Sequence, residues 1–453
     1  MRPLGVTNMG RLFGTDGIRG RAGQHPVTRA MAERLGQAVV EISHGNGVLN
    51  TVLIGRDSRE SGEELEQGLV DGLVASGAHA VRLGVVPTPA VAYLVKELGA
   101  SAAVMLTASH NPFEDNGMKV FGGDGFKLPA AVEANLEELL ISGEYRKKPS
   151  GGGKVEDCPR AVDRYVESLK AAIGGMDLGG MKVVLDAGNG SGFEVGPRVF
   201  RELGAEVIEI GVEPNGRNIN DGCGSLYGEV AGRAVLAHGA DLGISLDGDA
   251  DRLTLTGVDG QVVSGDRVLA VCALALKREG KLRGDAMVAT VMSNLGLDEA
   301  MRANGISVIR VGVGDKQVLE RMHTEGLCFG GENSGHLIFS DHSTTGDGIM
   351  SALQICRMMK GSGRTLAELA GVMREYPSTL LNLPVREKPP LEELPGLQAM
   401  IAEAESAFGN GGRQLIRYSG TENKIRVLVE HKDAAEVDSW IRKFSEVIKK
   451  EIG

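Results

Sequence analysis

Aromatic side chains are scarce in this chain of 453 residues: they form 4% of it, with a single tryptophan. A core without them has to be filled by Val, Leu, Ile and Ala. Cysteine is sparse too. Cys158, Cys223, Cys272, Cys328 and Cys356 are odd in number, widely spaced and never paired as CxxC, which argues against a disulfide framework or a zinc site. No run of about 18 apolar residues is present to span a bilayer, and the opening MRPLGVTNMG lacks the apolar core of a secretory signal. Positive charge is in deficit, since 49 Lys and Arg against 60 Asp and Glu leave a net charge of -11. Nucleic acid and anionic membranes need a basic face and are therefore not expected as partners. Small anionic substrates stay compatible wherever arginines cluster. The expectation is a soluble protein of a reducing, cytoplasmic compartment.

Glycine is abundant instead. Its 66 residues are about twice the usual share of roughly 7%, so many loops are shaped by backbone freedom. At about 150 residues per domain, the length suggests three or four domains. Helical stretches at Thr28–Ser43, Gly62–Ser76 and Ala161–Ile173 alternate with strand-like runs around Thr51–Arg59, Val81–Val85, Ala102–Leu106 and Val183 onward. That alternation predicts βαβ units on a parallel sheet. The Gly/Lys-rich Tyr145–Lys154 reads as a linker, and a third αβ segment runs from Gly260 to Val372. Beyond Tyr376 the order becomes strand Ser378–Arg386, helix Leu391–Phe408, two adjacent strands and helix Ala434–Ile452, an α+β module. The expected domains are 1–153, 154–256, 257–374 and 375–453.

The chemistry-bearing residues sit in polar loops after the strand-like runs. Ser109, in TASHNP, stands where the run Ala102–Leu106 ends, beside His110 and Asn111 and upstream of Lys119. Open α/β sheets place reacting groups there, although a plain Ser/Asn turn fits the same six residues. In RLFGTDGIRG, Arg19 offers a planar fork suited to phosphate, or merely a solvated arginine on a hairpin. Asp247, Asp249 and Asp251 follow an alternating strand at every second position. In an extended loop this spacing turns all three carboxylates to one side, which calls for a hard cation such as Mg²⁺ or Ca²⁺. A solvated acidic turn is the alternative, and Val258 at the twelfth position is not the Glu of an EF-hand loop. Gly188 and Gly190 approach a dinucleotide fingerprint, but Phe193 stands where the third glycine is required. In GGENSGH, Glu332, Asn333, Ser334 and His336 supply donors and acceptors for a hydroxyl-rich ligand. Arg417, Ser419, Thr421 and Arg426 around Gly420 form a dense set of phosphate donors.

In their order and spacing, FGTDGIRG, TASHNPFEDNGMK, DGDADR, GENSGH and RYSGTENKIRV resemble the α-D-phosphohexomutase family over essentially the whole chain. EPNGRNIN (Glu213–Asn220) and STTGDGI (Ser343–Ile349) resemble its glucosamine branch. The resemblance implies an α/β fold of four domains around a central cleft, three related α/β domains and a C-terminal α+β phosphate-binding domain. It implies that Ser109 carries a phosphoryl group, and that Asp247, Asp249 and Asp251 bind one Mg²⁺ together with that phosphoserine. Lys119, His110 and Arg19 would be the acid–base and electrostatic partners. Glu332, Asn333, Ser334 and His336 would hold the sugar, while Arg417, Ser419, Gly420, Thr421 and Arg426 would grip the phosphate that is not reacting. The chain departs from the common family pattern at Ala250, where Gly is usual, at Tyr418, where many relatives are basic, and at Asn423, where many have Pro.

The implied reaction interconverts glucosamine 6-phosphate and glucosamine 1-phosphate through a sugar 1,6-bisphosphate that turns round in the cleft. The implied partner is thus a phosphorylated hexosamine, and a homodimer stays open. Relatives acting on glucose or mannose phosphates share the catalytic residues, but they often carry an apolar residue at the position of Asn333, so the amide points to the amino sugar. Water as acceptor would instead make a metal-dependent sugar phosphatase. A non-catalytic sugar-phosphate sensor is disfavoured by the presence of Ser109 and all three aspartates.

Overall fold

The computed structural model describes residues 12–14, 16–43, 50–145, 152–419 and 423–453. Most of the expected linker, together with Gly420 and Thr421 of the expected phosphate loop, lies outside these. Two compact units result. One reaches Met292 and resumes over Ile309–Gly371, and the other takes Ser293–Val308 and Val372–Gly453.

Three sheets share one plan. In the first, His79–Val85, Thr51–Arg56, Ala102–Leu106 and Asp115–Gly122 lie side by side in that order, the last antiparallel to its neighbour and the others parallel. The second repeats this with Glu206–Ile210, Lys182–Asp186, Leu242–Leu246 and Leu253–Thr256. In the third the order is Ser307–Val311, Ala286–Thr290, Phe329–Gly331 and Leu337–Phe339, again with an antiparallel last strand. The parallel sheets expected from the sequence therefore each gain a returning strand. The physical reason is loop length: a parallel crossover needs about a dozen residues or more, and the connections after Leu106, Leu246 and Gly331 are shorter. Each polar loop is thereby the bend of a hairpin at the end of a buried strand.

The glycine surplus also acts in packing. Helices Arg29–Ser43 and Gly62–Ala75 meet backbone to backbone, and a Cβ on Gly72 would lie 2.0 Å from the Glu33 carbonyl oxygen. Any side chain there would push the helices apart.

The second unit is the α+β module. Its antiparallel sheet has Lys424–His431 between Ser378–Pro384 and Gly412–Tyr418, with helices Pro395–Phe408 and Ala434–Glu451. Leu397, Phe408, Val427, Val429, Trp440 and Phe444 fill its core. The helix expected from Leu391 is a short 3₁₀ turn followed by a helix opening at Pro395, because proline fits a first turn but has no N–H to donate inside one. Among the described residues no helix is long and apolar enough to cross a membrane.

Candidate active site

Strand Ala102–Leu106 is buried along its whole length and delivers the chain to Ser109. Ser109 is itself fully buried and adopts φ 54°, a left-handed conformation that costs a non-glycine residue about 1–2 kcal/mol. Its Oγ donates to Asp247 Oδ2 at 2.6 Å.

The aspartates converge, although not through the extended loop expected of their spacing. The Ala250 N–H closes on the Asp247 carbonyl at 3.0 Å and Ala250 takes φ 56°, so a tight turn gathers the carboxylates. The position where glycine is usual does require positive φ, and alanine bears it here. One oxygen from each of Asp247, Asp249 and Asp251 lies within 4.8 Å of the others. Asp249 Oδ1 and Asp251 Oδ1 are buried without a hydrogen-bond partner. Burial, then the charges of Asp249 and Asp251, push the Asp247 carboxyl well above its ordinary pKa. Hard oxygens that are buried, converge and keep lone pairs without a hydrogen-bond donor fit a divalent cation.

Lys119 reaches the same cluster from the returning strand Asp115–Gly122. Its Nζ lies 2.8 Å from Asp249, 3.2 Å from Asp251 and 2.9 Å from Asp16. Burial opposes its charge, but Asp16, Asp249 and Asp251 prevail and hold it well above the usual lysine range. Asp16 also pairs with Arg19 and Lys127. Lys127 in turn pairs with Asp315, whose Oδ2 lies 3.6 Å from His336 Nε2. A line of alternating charge thus joins Lys119 to the GENSGH loop. His110 Nδ1 is 3.5 Å from Ser109 Oγ and 3.2 Å from Arg252 Nη1. Guanidinium can only donate, so Nδ1 accepts. Burial, then Arg252 and Arg19, lower the His110 pKa, leaving a neutral ring at pH 7.

In the GENSGH loop, Glu332 and His336 are buried whereas Asn333 and Ser334 are exposed. Glu332 accepts from the Gly314 N–H at 3.2 Å and lies 3.5 Å from Ser334 Oγ. His336 Nε2 stands 3.9 Å from Asp251. A cavity of about 310 Å³ is lined by His110, Arg252, Asn333 and Ser334 together with apolar Leu253 and Val263. Sequence reasoning had passed over Arg252, Asp16 and Thr88, whose Oγ1 donates to Asp249 at 2.6 Å. Arg252 stands in DGDADR and Asp16 in FGTDGIRG, where each is legible as a counter-charge. Thr88 carried no signal.

The second unit holds the other expected set. Arg417 and Arg426 are direct cross-strand partners, so both side chains rise from the same face of the sheet. Burial and then Arg426 lower the Arg417 pKa. Ser419 is buried, and its carbonyl accepts from Lys388 Nζ at 2.8 Å, which adds a cation that the sequence reading did not name. Tyr418, at the position where many relatives are basic, packs against the hydrophobic core.

Four family profiles match in succession, described as phosphoglucomutase/phosphomannomutase alpha/beta/alpha domain I over residues 10–147, domain II over 163–260, domain III over 264–376 and C-terminal domain over 380–447. The chain is 45% identical to the phosphoglucosamine mutase of Geotalea daltonii, covering 98% of this chain and 99% of that one. It is 44% identical to that of Syntrophus aciditrophicus, covering 98% and 100%. Among solved structures, a phosphoglucomutase/phosphomannomutase family protein of Burkholderia thailandensis superposes with a TM-score of 0.82 at 25% identity, covering 97% of each chain. The N-acetylphosphoglucosamine mutase of Aspergillus fumigatus, solved in complex with GlcNAc-6P and magnesium, shares the fold with a TM-score of 0.67 at 20% identity, covering 97% of this chain and 96% of that one.

Proposed function

The chain belongs to the phosphoglucomutase/phosphomannomutase family, and we propose that within it this protein is an isomerase interconverting glucosamine 6-phosphate and glucosamine 1-phosphate. Its full-length relatives at about 45% identity bear the name phosphoglucosamine mutase. The observation that carries the mechanism is Ser109, buried in a left-handed turn with its Oγ 2.6 Å from an aspartate of the triad.

In this reading Ser109 bears the phosphoryl group at rest. A sugar hydroxyl attacks phosphorus, the bond from phosphorus to Ser109 Oγ breaks, and the hydroxyl proton passes to a nearby base. His110, held neutral, is able to take a proton, and Lys119, held charged, is able to steady developing charge. The bisphosphate then turns round and returns its other phosphate to Ser109. Asp247, Asp249 and Asp251 would hold Mg²⁺ with the phosphoserine, and the ion would offset their charge and the roughly -1.5 to -2 of the phosphoryl group. Arg19, paired with Asp16, adds positive charge that acts on His110. Arg417, Ser419, Gly420, Thr421 and Arg426 would grip the idle phosphate, and Glu332, Asn333, Ser334 and His336 the sugar. The domains would divide at 1–153, 154–256, 257–374 and 375–453, in a cytoplasmic enzyme.

The amino sugar is favoured by Glu332, whose carboxylate offers a C2 ammonium a charge-assisted hydrogen bond that a hydroxyl cannot match. Discrimination of about 1–3 kcal/mol, tenfold or more, is expected. The deciding measurement is kcat/KM for glucosamine 6-phosphate against glucose 6-phosphate and mannose 6-phosphate. Equal or better turnover of a neutral sugar would leave only the phosphohexomutase class standing.

A further inference from the structure

Ser109 cannot hold its left-handed turn unaided, because a strained residue relaxes unless its surroundings over-determine it. Its N–H donates to Thr107 Oγ1 at 2.9 Å, and that hydroxyl donates to Asp57 at 2.7 Å. Its carbonyl accepts twice, from Arg59 Nη2 and from Asn220 Nδ2, both at 2.9 Å. The same two donors reach the Asn111 carbonyl at 2.8 and 3.1 Å. Arg59 is fully buried, braced on Asp57 at 2.9 Å, and it also serves the carbonyls of Asp115 and Pro112.

Asn220 comes from far along the chain. It closes EPNGRNIN, a stretch to which the mutase chemistry assigns nothing. It takes φ 58°, and its own N–H donates to the Gly188 carbonyl at 2.8 Å. The loop is pinned to the turn that carries Arg59. The Glu60 N–H donates to the Gly216 carbonyl at 3.0 Å, and Arg217 Nε bonds Glu60 at 2.6 Å. A primary amide has two hydrogens and meets two carbonyls, a match that a carboxylate of the same shape cannot make.

We infer that Asn220, acting with Arg59, is a positioning residue for the nucleophile: its amide locks the backbone of residues 109–111 so that Ser109 Oγ keeps its line to phosphorus. The inference rests on the reading of Ser109 as the phosphoryl carrier. Displacement of about 1 Å at a reacting atom costs on the order of a hundredfold in rate. A loosened loop also admits water, whose oxygen would bond to phosphorus as the Ser109 Oγ bond breaks, releasing inorganic phosphate.

Two variants separate positioning from folding. Asn220→Gly accepts positive φ without strain and removes only the amide, and Asn220→Asp keeps the shape but turns oxygen towards both carbonyls. For Asn220→Gly, kcat should fall about 10- to 100-fold, with KM for glucosamine 6-phosphate little changed, the unfolding midpoint near the parent's, and more inorganic phosphate released per turnover from the phosphoenzyme. Asn220→Asp should lose more. Unchanged kcat and unchanged phosphate release in both variants would overturn the inference, as would a loss of activity tracking the folded fraction with phosphate release unmoved. If Ser109→Ala is inactive in that case, only the positioning role falls. If Ser109→Ala turns over normally, the carrier reading itself has failed.

Discussion

Lys119 and the pair Arg417 and Arg426 handle positive charge in opposite ways. Lys119 is buried, and three carboxylates lie within 3.2 Å of its ammonium. In the second unit Arg417 and Arg426 are paired across two strands, and burial and then Arg426 lower the pKa of Arg417. A closed network of opposite charges resists rearrangement and suits atoms that must hold position while bonds change. Two arginines on one face of a sheet offer paired planar forks to an anion, which would suit a group that is gripped and released. In the proposed reaction that difference would separate the two tasks of a mutase, reacting with one phosphate and holding the other.

The comparison breaks most sharply at Ser109. Ser109→Ala should lose at least about a hundredfold in kcat and should no longer take up phosphate by intact-protein mass spectrometry, while sugar-phosphate binding through the arginines persists. A variant that still turned over would refute the relay. Chelation should be nearly as severe. EDTA is expected to abolish activity and Mg²⁺ to restore it, since Asp249 and Asp251 each leave a buried oxygen without a hydrogen-bond partner. A chelator-insensitive enzyme would remove the cation from the first site.

Smaller, and confined to stability, is an effect at Asp347. This carboxylate caps helix Gly348–Ser362, accepting from the Met350 N–H at 2.8 Å and from the Tyr165 hydroxyl at 2.6 Å. Burial outweighs those bonds and pushes its pKa up to about 6. The folded state therefore holds this proton to higher pH than the unfolded chain does. Its contribution is greatest below about pH 4 and declines as pH rises to about 6, by about 2–3 kcal/mol. Unfolding free energies of the parent minus those of Asp347→Asn should fall across that window, and a difference independent of pH would contradict the assignment. The mildest change is expected in the second unit. Arg417→Lys or Arg426→Lys keeps charge but loses the planar fork, so KM should rise roughly tenfold with kcat largely retained. Normal KM in both variants would place the phosphate grip elsewhere.

Much of the candidate site was legible because its residues are crowded into loops after apolar runs. Ala102–Leu106 read as a buried strand and is one, and the polar residues after it had to stand at a strand end. The aspartates were found for an incomplete reason: their convergence depends on a tight turn through Ala250, and alternate spacing does not encode such a turn. Asp16 and Arg252 escaped notice because a counter-charge is recognised only once its partner is known.

By itself, the order and composition of its loops determined the family of this protein, the reactive serine candidate and the acidic cluster, since residue type and local spacing carry that information. Tertiary structure alone decided that Lys119 meets carboxylates 130 and 132 residues away, and that the Asn220 amide reaches the carbonyl of Ser109. Those contacts join segments whose separation is set by how helices and sheets pack. The energy of an ion pair or a hydrogen bond depends on burial and on distances of a few ångströms, and no local pattern of residues specifies either.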